Sequence, residues 1–106
     1  MPRTLRDLHD LVIPNGDTTS NAVDVPDDAY ALMVYGPATL TGTVTVEIAP
    51  AAGGTFRTLQ SGGSDVAVAA AKATSIHPVV FKSLRVKSTG AEAAARTFEA
   101  QARYPV

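Results

Sequence analysis

The sequence predicts an all-β fold, a single antiparallel β-sandwich or jelly-roll-like domain of about eight short strands with a short N-terminal arm. Three observations carry this. The stretch 40–48 reads Leu-Thr-Gly-Thr-Val-Thr-Val-Glu-Ile, with Leu40, Gly42, Val44, Val46 and Ile48 in one parity and Thr41, Thr43, Thr45 and Glu47 in the other. Successive strand side chains point to opposite faces, so this is one dry and one wet face of a strand. Turn signals recur between short apolar runs, which is the spacing of a sandwich or small barrel. A long helical period is missing, and β-branched residues suit a pleated, half-buried surface.

The 106 residues support one domain, divided here into an arm over 1–10 and a β-sandwich over 11–106. Aromatics make up 6%, Trp is absent, and eighteen alanines supply much of the apolar content. The core is therefore thin, and at about 25 cal/mol per Å² its burial stabilises modestly. Without cysteine the chain has no disulfide framework and no thiolate metal site. No signal peptide or membrane span is readable. A net charge of −1 gives no reason to expect nucleic acid as partner.

Taken in order, residues 1–9 form an arm or a short helical turn, with Leu5 and Leu8 on one stripe. Leu11-Val12-Ile13 is a strand, and Pro14-Asn15-Gly16-Asp17 a turn. Thr18 to Val25 is a weak extended run broken by Pro26. Ala29 to Tyr35 is apolar in both parities, Ala29, Ala31, Met33 and Tyr35 against Tyr30, Leu32 and Val34. This predicts cover on both sides, one the core and the other the arm or a neighbouring subunit. After the 40–48 strand, Ala49 to Thr55 is a loop, Phe56 to Leu59 a strand and Ser61-Gly62-Gly63-Ser64 a turn. Asp65 to Ala69 alternates. Ala73 to Val80 is an edge strand or an irregular one because it contains Pro78. Phe81 to Ser88 is a strand with a bulge near Lys82-Ser83. Thr89 to Ala95 is Ala-rich and suits one helical turn. Arg96 to Tyr104 is the last strand.

The charge is lopsided: residues 1–53 hold two Lys/Arg against seven Asp/Glu, and residues 54–106 hold seven against three. A β-fold that interleaves the halves neutralises them; opposed docking patches are the sharper alternative.

No constellation for catalysis, metal or cofactor stands out, so the chain reads as a non-enzyme without a cofactor. His9 and His77 have no partner histidine at ligand spacing. Asp24, Asp27 and Asp28, even with Asp17, lack the ladder of a calcium loop. Ser61 to Ser64 lacks the Lys and helix of a phosphate cradle, and neither serine has a nucleophile elbow. Lys72, Lys82, Arg85 and Lys87 make a solvated basic face or a contact for an acidic protein. Tyr30, Tyr35 and Tyr104 suit a thin core better than a sugar platform. The candidate partner-binding residues are Leu5, Leu8, Leu11, Tyr30, Leu32 and Val34.

Several stretches resemble small virion proteins of tailed bacteriophages, in the β-sandwich class of capsid cement or decoration proteins. They are Val-Ile-Pro-Asn-Gly-Asp-Thr-Thr-Ser-Asn-Ala, Tyr-Gly-Pro-Ala-Thr-Leu-Thr-Gly-Thr-Val-Thr-Val-Glu-Ile, Leu-Gln-Ser-Gly-Gly-Ser-Asp-Val and Phe-Lys-Ser-Leu-Arg-Val-Lys-Ser. They run from about residue 11 to residue 99 and consist of turns and strands, so no residue-level role transfers. The resemblance implies a structural protein on the capsid surface, made in the host cytoplasm, with the major capsid protein as partner. A homo-oligomer, with a trimer as the expected form, fits attachment at a symmetry axis. The competing expectations are a tail, baseplate or head-fibre component and a carbohydrate-binding or adhesion module.

Overall fold

The computed structural model describes residues 5–104, which form eleven short strands and no helix. They are β1 (Leu5–Asp7), β2 (Leu11–Ile13), β3 (Val23–Asp24), β4 (Ala31–Tyr35), β5 (Val44–Ala49), β6 (Arg57–Thr58), β7 (Gln60–Ser61), β8 (Ser64–Asp65), β9 (Ala73–Ile76), β10 (Ser83–Ser88) and β11 (Arg96–Arg103). One sheet runs β1-β11-β4-β9, with β2 also on β11. The other runs β3-β10-β5-β6, and β7-β8 is a separate hairpin. Every pairing is antiparallel.

The core lies between the two sheets. Leu11, Ile13, Leu32, Val34, Phe98 and Ala102 from the first meet Val44, Val46, Leu84 and Val86 from the second. Within the second sheet, Val46 sits opposite Val86 and Ile48 opposite Leu84. Phe98 is the largest side chain among the fully buried ones, so the core is as thin as the composition requires. Among the described residues, two of the three ion pairs, Lys82–Asp27 and Arg85–Glu47, join the basic second half to the acidic first half. The interleaving reading of the charge therefore accounts for both.

The structure corrects several local expectations. The 40–48 strand starts at Val44, because Leu40 to Thr43 form a loop held by other groups. Its wet face is not uniformly wet: Glu47 is buried, paired at 2.7 Å with Arg85, whose guanidinium lies 4.3 Å over the Phe56 ring. Phe81 precedes β10 and packs on the core edge, so a strand end replaces the expected bulge at Lys82-Ser83. Thr89 to Ala95 makes bends and no helical turn. Ala73 to Val80 is an edge strand as expected, but it ends at Ile76 before His77 and Pro78.

The N-terminal segment differs most. Leu5–Asp7 is a strand rather than a helical stripe, in register Leu5 to Arg103, Arg6 to Ala102 and Asp7 to Gln101. After it, Leu11 faces Phe98 and Ile13 faces Arg96. Three residues, Leu8, His9 and Asp10, thus span only Ala100 and Glu99 on the partner. The Leu8 amide donates to the Ala100 carbonyl at 2.9 Å. That leaves His9 and Asp10 opposite Glu99, a one-residue β-bulge in an otherwise continuous edge strand. Residues 1–4 of the expected arm lie outside the described residues.

Candidate docking surface

The bulge decides where Leu5 points. Leu5, Leu11 and Ile13 share a parity, so a straight strand would send all three to one face. With the extra residue, Leu11 and Ile13 are fully buried while Leu5 pairs with outward-facing Arg103 and remains 46% exposed. A bulge re-aims side chains in this way.

The surface that Leu5 joins is the outer face of the first sheet. On β11, Phe98, Ala100 and Ala102 point inward, so Glu99, Gln101 and Arg103 point outward. On β4, Leu32 and Val34 point inward, so Ala31, Met33 and Tyr35 point outward. The register aligns Arg103 with Ala31, Gln101 with Met33 and Glu99 with Tyr35. Ser75 and Ala73 of β9 extend the last two rows. Tyr35 Oη donates to Gln101 Oε1 at 3.3 Å, and Gln101 Nε2 donates to Asp7 Oδ1 at 2.9 Å. These bonds orient the central amide. Shallow depressions of about 240 and 230 Å³ lie on either side of Gln101, the second walled by Leu5, Ala31 and Met33.

The residues expected to bind a partner divide accordingly. Leu5 and Tyr30 are exposed and Leu8 is half-buried against the core. Leu11, Leu32 and Val34 are corrected to core residues, at 0–2% exposure, because their parity faces the second sheet. The uncovered side of Ala29–Tyr35 is the other one: Ala31 and Met33, half-buried, and Tyr35, 38% exposed. Tyr30 and Tyr35 are therefore not core residues. Tyr30 meets the His77 ring edge-on at 4.5 Å, and Tyr104 is half-buried.

The remaining candidates are dispersed. Asp27 accepts from Lys82 at 2.6 Å, and that hydrogen bond and charge hold its carboxyl below the usual range. Among the described residues no group of His, Asp and Glu is arranged to hold a metal. Lys82 and Arg85 are engaged by acids, so the basic residues do not gather into one free face. Ser61 and Ser64 are partners in the β7-β8 hairpin. A solvent-open groove of about 930 Å³ runs between the sheet edges past His9, Asp10 and Asp24. Its wall is tied by Asn21, which accepts from the Val12 amide at 2.8 Å and donates to the Asp10 carbonyl at 3.1 Å.

Among the described residues Glu92 is the one strongly perturbed acid, and sequence reasoning passed over it. Its carboxylate is buried and accepts from the Thr41 and Gly42 amides, Ser88 Oγ and Arg96 Nε at 2.7–2.9 Å. Burial pushes the carboxyl up. The Thr41 amide, the Ser88 hydroxyl, the Gly42 amide and Arg96 outweigh it and hold the group down at about 2. Its backbone is fixed as well, with the Gly16 amide donating to its carbonyl and its own amide donating to the Asp17 carbonyl. With every lone-pair direction occupied, Glu92 is a structural clasp for three loops. A lone acid in an Ala-rich stretch with Arg four residues on was the available signal.

No protein-family model matches the chain, and no curated protein matches it. Among solved structures it is similar to a chain from Bacillus endospore appendages, which form a novel family of disulfide-linked pili. The identity is 17% and the TM-score 0.48, over 100% of this chain and 92% of that one. A likeness of that size carries no argument about role.

Proposed function

We propose that this chain is a capsid cement, or decoration, protein of a tailed bacteriophage. It is a non-enzymatic virion component that attaches as a homo-oligomer to the outside of the major capsid protein shell and stabilises it. The resemblance along residues 11–99 supports this reading, and one structural observation supports it further. The strand Leu5–Asp7 fixes its backbone on β11 while all three of its side chains stay exposed. An edge strand of this kind offers main-chain and side-chain contacts to a second surface, the chemistry of clamping by β-addition. A clamp that binds only the assembled shell stabilises it by mass action.

Heads lacking the chain should release their DNA at lower temperature, and adding the purified protein should restore the wild-type value. Removing residues 1–9 should abolish attachment while the body stays folded. Full retention of the truncated chain on heads would overturn the arm's role, and unchanged head stability without the protein would overturn the function.

A further inference from the structure

The outer face of the first sheet has a symmetry that the single chain does not use. Along β11 the outward residues read Glu99, Gln101, Arg103, and beside them on β4 they read Tyr35, Met33, Ala31. The middle row holds Asp7, Gln101, Met33 and Ser75. Consider a two-fold axis lying in the plane of the face along that row. It inverts strand direction and keeps each strand over its own copy. Glu99 of one copy then stands over Arg103 of the other, twice. Tyr35, the bulkiest outward side chain of β4, stands over Ala31, the smallest. Met33 meets Met33, and the Gln101 amides, each donor and acceptor, meet each other. An axis along the strands instead would set Arg103 over Ala31 and Glu99 over Tyr35, charge on apolar surface.

Glu99 and Arg103 are available for this, since among the described residues neither joins the ion pairs within the chain. About four residues at roughly 3.3 Å separate them along the strand, too far to pair with each other. The bulge adds Leu5 beside Arg103 at the margin.

We propose that this face is a self-complementary docking surface whose occupant is a second copy of this chain, related by a two-fold axis through the row Gln101–Met33. The contact is isologous, with Glu99 and Arg103 exchanged across the axis. Three rows on four strands cover roughly 400 Å² per copy, from a strand spacing of about 4.8 Å and a same-face repeat of about 6.8 Å. The total of roughly 800 Å² is below the usual size of a stable complex, so the dimer is concentration-dependent. Asp7 opposes its own copy at the β1 margin and weakens it. The contact names the partner of the β11, β4 and β9 part of this face, whose β1 margin belongs to the attaching segment 1–9, and it is two-fold where a trimer was expected.

Sedimentation of the full chain from micromolar to millimolar concentration tests this. The wild type should pass from monomer to dimer. Glu99→Arg or Arg103→Glu alone should weaken association about tenfold or more, and the double exchange should recover to within about threefold, because each altered residue again meets its opposite. Asp7→Asn should strengthen it. All three positions are on the outer face, and circular dichroism checks that each variant remains folded. A chain monomeric throughout, a trimer, or a dimer indifferent to the single reversals would overturn the proposal. So would failure of the double variant to recover. Because the Glu99 and Arg103 variants leave residues 1–9 unaltered, head attachment is read separately on them: attachment without dimers sinks this contact alone, and dimers without attachment sink only the capsid reading.

Discussion

Arg96 Nε donates to Glu92 Oε1 at 2.9 Å, and the pair sits at the end of the sandwich with side-chain exposures of 14% and 0%. Arg96 Nη2 also reaches Thr41 Oγ1 at 3.2 Å, so one ion pair anchors both the 39–43 loop and the start of β11. A buried pair of this kind gives cooperative order to loops that have little apolar surface of their own.

Glu92→Gln should therefore be severe. An amide in place of the carboxylate sets an NH₂ against donors and leaves Arg96 uncompensated. Breaking such a pair costs about 3–5 kcal/mol. For a domain of this size even 3 kcal/mol lowers Tm by roughly 15 °C, which a thermal melt reads directly. A change of less than about 3 °C would remove Glu92 from its role.

The same carboxyl sets an acid dependence. Its pKa falls from 4.5 unfolded to about 2 folded, so its contribution is full above about pH 5 and is lost as pH drops through 2. At about 1.4 kcal/mol per pKa unit, the term amounts to about 3 kcal/mol. Denaturant melts of the wild type between pH 6 and pH 2 should show this slope, and in Glu92→Gln this part of it should be missing.

Two glycines are required by close approach. A Cβ on Gly36 would lie 2.2 Å from the Ala69 carbonyl oxygen, and one on Gly42 would lie 2.4 Å from Ser88 Oγ. Ser88 cannot swing away freely, because its hydroxyl donates to Glu92 at 2.7 Å. Both Gly→Ala changes should destabilise by about 1–3 kcal/mol, with Gly36→Ala the worse because its obstacle is backbone. Chemical denaturation measures both, and the reverse order would contradict the stated cause.

Strand parity carried much of this fold in the sequence. Val44 and Val46, Leu84 and Val86, and Phe98, Ala100 and Ala102 alternate cleanly and are core. Parity failed where a long-range event intervened. Nothing local shows that Ala29–Tyr35 keeps one face open, since Ala31 and Met33 look as apolar as Leu32 and Val34. The bulge was masked because Leu5, Leu8, Leu11 and Ile13 suit either a helix stripe or a strand. For Glu92 only the local pairing with Arg96 left a sequence signal; its partners Thr41 and Gly42 lie about fifty residues away and left none.

The bulge itself can be removed. Deleting His9 leaves Asp10 alone opposite Glu99, and both flanking registers, Asp7 to Gln101 and Leu11 to Phe98, persist. The variant should fold with stability within about 1 kcal/mol of the wild type and keep Leu5 on the outer face. Deleting Val12 shifts the register of one strand segment by a residue, turns core side chains outward and should unfold it. Equal tolerance of the two deletions, read by thermal melts, would contradict the assigned bulge.

The edge of β2 is closed by Asn21, which imitates a strand with one acceptor and one donor. Asn21→Ala should cost about 1 kcal/mol and speed hydrogen exchange at the Val12 amide, with the β5–β10 amides unchanged.

The most direct test of the capsid reading is the copy number of this chain in purified phage particles, measured against the major capsid protein by quantitative mass spectrometry. The account predicts a fixed stoichiometric ratio to shell subunits. Six or twelve copies per particle, the numbers of a tail or baseplate ring, would contradict it.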